Sequence, residues 1–284
     1  MATLECKSVQ RGIPSKRVTV EHITDEQVVQ ARRELDRLIR SETQRSDAVA
    51  NAFVSVAAMC PAANPSDLWQ HVIYRHLLSK RWNDAAWKRV SGFALERAFT
   101  RIYSPRLEPH GVRMRLLKKS DADTFLHSIG ADIRSTKVDL FLEGQHTDRW
   151  IIFGAAHVKS SIAERIQDDV PASAAFMSRG FASIALTMDA KSYPPPHGNC
   201  INYGELGGRS LGVEKARIKR GYIETFGQFD GLFSFNLRTP ASEGQTASGK
   251  RIYTLPLYGS QPDALVVFIL ERWNTWRKAN LEKS

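Results

Sequence analysis

The chain has 284 residues, 42% hydrophobic and 25% charged, so it can bury a sizeable core, and its composition excludes a disordered or fibrous protein. Forty Lys and Arg against thirty Asp and Glu leave a formal charge of +10, which favours a polyanionic partner without identifying one. No apolar run reaches the roughly 18–20 residues of a membrane helix, Met1-Ala2-Thr3-Leu4-Glu5 lacks a signal peptide's apolar region, and Cys6, Cys60 and Cys200 have neither zinc-site nor disulfide-framework spacing, so the expectation is a soluble, cytoplasmic protein of prokaryotic intracellular type, with buried or idle thiols and no membrane partner.

Helices are predicted over the first hundred residues. The first starts at Thr24-Asp25-Glu26-Gln27, a capping residue followed three places later by Gln, and Val28, Ala31, Leu35 and Leu38 mark its inward face. After an Arg- and Ser-rich break, Ala48, Ala52 and Val56 define a more buried helix ending near Cys60-Pro61. A third follows Pro65-Ser66-Asp67, and a fourth runs from Asp84 to Ile102 with Trp87, Val90, Ala94, Ala98 and Ile102 inward. The period then changes. Val112, Met114 and Leu116 alternate with Arg113 and Arg115, Lys137 to Glu143 alternates again, and Trp150 to Val158 and Phe181 to Met188 are near-continuous apolar runs suited to central strands. A helix from about Ser161 to Arg179 separates the last two. Strand, strand, helix, strand describes an α/β core. The remainder comprises a Pro194–Gly198 loop, a basic helix near Val213 to Thr225, a strand around Leu232 to Phe235, a flexible stretch from Thr239 to Lys250 and an amphipathic helix from Pro262 to Leu281.

Chemistry concentrates between Val138 and Asp169. A hairpin turning at Gly144 to Asp148 can bring Asp139 and Lys159, twenty positions apart, to one sheet edge. A carboxylate there can hold a divalent metal on a scissile phosphate, while an ammonium orients or deprotonates the attacking water and stabilises charge on the phosphorane. Chance also places an Asp and a Lys at such a distance in many basic proteins. His157, two residues before the lysine, is a poor ligand for a hard cation, so another acid must complete the site. Glu96 lies in the fourth helix beside apolar Ala94, Leu95 and Ala98, where an unpaired carboxylate is costly unless a metal or base meets it; it could equally be a solvated helix carboxylate paired with an arginine. In the run from Lys159 to Asp169, Ser161 and Glu164 form a capping-box pattern, but a helix end entering the major groove could also offer Glu164 to cytosine amino groups and Arg165 to guanine O6 and N7. The basic run Lys215, Arg217, Lys219, Arg220 and the group Arg113, Arg115, Lys118, Lys119 could neutralise phosphates or be solvated faces.

With Val138-Asp139, His157-Val158-Lys159 and the Ser-Ile-Ala-Glu-Arg run, the chain resembles type II restriction endonucleases of the PD-(D/E)XK superfamily, especially the CCGG-recognising branch that includes the BsaWI-like enzymes. Some members also look similar around Trp87 to Glu96. The resemblance implies a restriction-endonuclease-like α/β core, a central mixed β-sheet flanked by helices, with an N-terminal helical layer. It implies one endonuclease domain over 1–284, in which 1–105 form the helical layer and 106–284 the catalytic core. It further implies that Asp139 and Glu96 hold Mg2+ with the Val158 carbonyl, Asp168 or Asp169 being alternatives to Glu96, and that Lys159 positions the water. Glu164 and Arg165, five and six places beyond the lysine, then read C:G pairs, and Arg89 contacts a base or phosphate. The implied activity is cleavage of double-stranded DNA by a homodimer ahead of the first cytosine of a CCGG-containing palindrome, leaving staggered 5′-phosphate ends. A cognate DNA methyltransferase would act on the same site without needing to bind this protein. Two rivals are a repair or structure-selective nuclease on the same core, which would not depend on Glu164 or Arg165, and a non-catalytic basic DNA-binding regulator, for which no helix-turn-helix signature is present.

Overall fold

The computed structural model describes residues 1–6, 16–80, 82, 84–131, 133–134, 137–162, 166–190, 202–206, 213–259 and 262–282, with the side chains of 6, 16, 84 and 213–217 outside the description. It begins with an antiparallel hairpin of β1 (Ala2–Cys6) and β2 (Lys16–Val20) that was not expected, its buried side formed by Ala2, Leu4, Val18 and Val20. Helix α1 (Asp25–Ser41) carries the predicted capping box: Gln27 N donates to Thr24 Oγ1 at 3.2 Å and Thr24 N to Gln27 Oε1 at 2.9 Å. It buries Val28, Ala31, Leu35 and Leu38. Helix α2 (Arg45–Met59) is buried along most of its apolar length, as its Ala- and Val-rich sequence requires. The short α3 (Pro65–Asp67) opens from Asn64 and passes through a π-helical stretch, Leu68–Tyr74, into α4 (Arg75–Ser79). Helix α5 (Asp84–Leu107) packs on α2 and continues beyond the expected end at Ile102, with Pro105 in its last turn.

Six strands then form one sheet in sequential order: β3 (Val112–Arg115), β4 (Leu140–His146), β5 (Arg149–Lys159), β6 (Ala182–Thr187), β7 (Gly231–Ser234) and β8 (Ile252–Thr254). The pairs from β3 to β5 are antiparallel and those from β5 to β8 parallel, so the sheet is mixed, as expected for the fold class. Helix α6 (Lys119–Ser128), which had no sequence assignment, follows β3. Helices α7 (Ile166–Met177) and α8 (Val213–Glu224) lie within the first two of the three parallel connections, and α9 (Ala264–Asn280) follows the sheet. Among the described residues, no helix is long and apolar enough to cross a membrane.

The sheet is covered on both faces. Leu140, Leu142, Ala156, Val158, Ile184, Leu186 and Phe233 join the core of α1, α2, α5 and α9. Phe141 and Ala155 face Leu126 of α6 and Phe176 of α7, while Ala185 and Leu232 meet Ile166 and Ile223. Full burial of each large side chain contributes roughly 1.5–3 kcal/mol. A bulge decides which face β5 shows. Leu142 pairs with Gly154 but Glu143 with Ile152, leaving Phe153 as the extra residue. Phe153 turns into the α9 side against Trp273, at a centroid distance of 5.2 Å, and the alternation resumes with Ala155 on the α7 side. Gly144 on β4 has a packing reason, since a Cβ there would fall onto the Trp273 ring.

The stretch from Thr239 to Lys250 is a correction to the flexible connection expected. It has no regular structure, yet Thr239 is buried, Ser242 N donates to Ile252 O at 2.9 Å, and Thr246 Oγ1 donates to Lys250 O at 2.7 Å. Local side-chain hydrogen bonds take the place of a helix or ladder.

Candidate active site

Asp139 immediately precedes β4 and Lys159 ends β5, and antiparallel pairing of Leu140 with Ala156 brings the two to the same edge. The strand was expected from Lys137, but regular pairing starts at Leu140, which leaves Asp139 free of the ladder to bond through its side chain. Its Oδ2 accepts hydrogen bonds from Val158 N at 2.6 Å and Lys159 Nζ at 3.0 Å. Two and four residues beyond Ala155 and on the same side of β5, His157 and Lys159 face α7, where the lysine Nζ lies 2.9 Å from Asp169 Oδ2. Glu96 approaches from α5 with only 8% of its surface exposed. Asp139, Lys159 and Glu96 are therefore brought together, and of the two alternative acids only Asp169 joins them; Asp168 is exposed.

Burial is the main influence on Glu96 and, with the nearby Asp139 charge, pushes its carboxyl up to about 8, against the weaker pull of Lys159. Burial alone would lower Lys159, but Asp139 and then Asp169 outweigh it, and the ammonium is held above its ordinary range. Asp169 is raised by burial despite its bond to Lys159. At neutral pH the lysine is thus a fixed cation that donates hydrogen bonds, and its geometry suits holding a water and stabilising developing negative charge rather than removing a proton. Among the described residues, no group of three His, Cys, Asp or Glu side chains stands in ligating arrangement, so a cation here would rest on two carboxylates and backbone or water oxygens.

His157 faces the α7 side and is fully enclosed, edge-on to Phe229 at 5.5 Å, with neither ring nitrogen in a standard hydrogen bond. Burial lowers its pKa to about 4, so it is a neutral packing residue where an acid was absent from the sequence. Arg89 is exposed on α5. Glu164 and Arg165 lie outside the described residues, and with them the proposed capping box and base-reading pair. The Pro194–Gly198 loop and Cys200 also lie outside; Cys60 is a buried free thiol. Several basic residues considered for phosphate contact have internal partners instead. Arg113 and Arg115 pair with Glu143, Lys219 with Glu205, and Arg220 with Glu224.

One support was missed in the sequence. Met188 N donates to Lys159 O at 3.1 Å and Ala190 N to Ser160 O at 2.8 Å, extending the β5–β6 pairing past the lysine. Asp189 between them adopts φ 42° and turns its buried carboxylate to Glu205 N at 2.6 Å and Thr239 Oγ1 at 2.9 Å. Asn236 Nδ2 donates to the carbonyls of Asp189 and Asn202. The only local signal is a run of polar residues after apolar strands, which reads as an ordinary loop.

No family model matches the chain. The type II restriction enzyme AgeI of Thalassovita gelatinovora is 39% identical over 258 residues, covering 87% of this chain and 91% of the relative. The chain belongs to the type II restriction endonucleases. The crystal structure of the specific AgeI–DNA complex is similar over 95% of this restriction endonuclease and 99% of that chain, with 36% identity and a TM-score of 0.85. A looser likeness, with 15% identity and a TM-score of 0.44 over 89% of this chain and 93% of the other, is to the pre-specific BsaWI–DNA complex. As a type II restriction endonuclease the protein is a site-specific deoxyribonuclease, and the sheet edge carrying Asp139 and Lys159 is its candidate centre.

Proposed function

We propose that this single-domain cytoplasmic restriction endonuclease uses Mg2+ to cut both strands of a DNA palindrome containing CCGG, as a homodimer in which each subunit cuts one strand. The observation that carries the assignment of its centre is the convergence of Lys159 Nζ on Asp139 and Asp169, at 3.0 and 2.9 Å, beside buried Glu96. A relative bound to DNA supports the duplex as partner.

The residues fit a hard divalent cation. Glu96 and Asp139 are oxygen donors whose mutual repulsion, in a desolvated site, such a cation would offset. Asp139, Glu96 and the Val158 carbonyl would hold it, and it supplies positive charge against the negative charge building on the phosphoryl oxygens. Asp139 also fixes the end of β5 through the Val158 amide. Lys159, kept cationic by Asp139 and Asp169, donates to the attacking water and orients it toward phosphorus. Water adds its oxygen to phosphorus, the P–O3′ bond breaks, the 3′ oxygen departs as an alcohol with a proton, and the phosphate remains on the 5′ side.

Sequence choice is assigned to Glu164 at cytosine amino groups and Arg165 at guanine O6 and N7, with Arg89 at a base or phosphate. Two-fold symmetry of a homodimer accounts for a palindromic site and a stagger. A companion methyltransferase would act on the same sequence. Incubating purified protein with a plasmid of known sequence and Mg2+, then sequencing the fragment ends, tests the reading. Ends at CCGG-containing palindromes support it; an intact plasmid, or ends scattered over unrelated sequences, overturns it.

A further inference from the structure

Positions 89, 92, 93 and 96 of α5 follow the i, i+3, i+4, i+7 spacing of one helix face. Along that face the surroundings change from solvent to interior: Arg89, Gly92 and Phe93 are exposed and Glu96 is buried at the candidate centre. Phe93 is 58% exposed, whereas the other aromatic residues of α5, Trp87, Phe99 and Tyr103, are all buried. Gly92 sits inside a long helix, where glycine is among the least favourable residues. Packing within the chain gives no reason for it, because a Cβ built there meets nothing within 4 Å. An exposed aromatic beside a helical glycine, one turn from a site for phosphate chemistry, marks a surface left open for something outside the chain.

We propose that Gly92 and Phe93 form a seat for the DNA backbone next to the scissile phosphate, with Gly92 admitting the sugar-phosphate chain close to the helix and Phe93 packing against a deoxyribose. This rests on the assignment of the centre to Asp139, Lys159 and Glu96. Any duplex presenting a phosphate there passes along the exposed part of the same helix face, and at 1.5 Å per residue Arg89 lies about 10 Å from Glu96 along the axis, within reach of a neighbouring phosphate. The exposed cation and the chain's charge of +10 suit a polyanion.

The test uses full-length G92A and F93A, with D139A as a reference. Binding and single-turnover cleavage are measured on a synthetic duplex centred on a site mapped with the wild-type protein, alongside thermal melting. G92A is expected to melt about 2–4 °C higher, because alanine favours the helix, while its affinity for the duplex falls at least tenfold. F93A is expected to leave melting unchanged and also to weaken binding. Wild-type binding by G92A, or a fall in both stability and binding, overturns the proposal, the latter because it indicates a structural glycine. Altered self-association without DNA, with unchanged affinity of the assembled protein for the duplex, overturns it in favour of a subunit contact. Normal cleavage by D139A overturns instead the assignment of the centre, so the two failures are distinguishable.

Discussion

Lys159 Nζ stands 3.0 Å from Asp139 Oδ2 although twenty residues separate the two in sequence. The same carboxylate oxygen accepts the Val158 amide at 2.6 Å, so one side chain both pairs with the ammonium and fixes the strand that delivers it. The geometry of the candidate centre and local backbone order are coupled at this point.

Replacing Asp139 with Ala or Lys159 with Ala is expected to lower the single-turnover cleavage rate at least a hundredfold. Binding of the duplex should change far less. Quenched cleavage and anisotropy on the same preparations separate the two effects, and wild-type rates in either variant would remove these residues from the reaction.

The two neighbouring acids of α7 should behave differently. Asp169→Asn loses the charge 2.9 Å from Lys159 and is expected to reduce cleavage tenfold or more, about 1.4 kcal/mol or greater in barrier. Exposed Asp168→Asn should cleave like the wild type. Equal rates for the pair would contradict a role for Asp169.

Glu96 makes stability depend on pH. With its folded pKa pushed to about 8 and an ordinary value near 4.5 when unfolded, the folded state binds more protons between these limits. Stability therefore falls as pH rises from about 4.5 to 8 and levels above. E96Q should remove that loss, on the order of a few kcal/mol, so its melting advantage over the wild type is larger at pH 8.5 than at pH 5. Proton competition at Glu96 also predicts Mg2+ affinity rising with pH over the same range, readable by titration calorimetry. A pH-independent difference in melting would refute the assignment.

Arg165→Ala is expected to relax discrimination at guanine, with a loss of about 1–3 kcal/mol for a bidentate contact. Cleavage of duplexes altered one base pair at a time measures this. A variant that is merely less stable, with its site preference intact, would show Arg165 to be structural.

Much of the fold was legible because its signals are periodic. The faces of α1 and α2, the run that became β5, and the Thr24–Gln27 capping box all follow from local spacing. Asp139 and Lys159 were legible as a pair because a hairpin has few ways to connect two neighbouring strands. The choice between Asp168 and Asp169 was not, since it depends on how α7 is rotated against the sheet. Neither was the β1–β2 hairpin, whose strands are short and separated by a long connection. The bonds around Asp189 and Asn236 join segments distant in sequence, and no local pattern encodes them.

The extra residue Phe153 has a further meaning for how such a chain tolerates change. Deleting Phe153 would remove the bulge and leave Ile152, Ala155 and Lys159 on the α7 side in regular alternation, so the ammonium would stay beside Asp169 while the packing of Phe153 on Trp273 is lost. An insertion at the Thr147–Asp148 tip, outside the paired segment, leaves that alternation intact. Evolution can therefore lengthen this hairpin at its far end, and a codon lost at the bulge would cost packing against α9 rather than the placement of the ammonium.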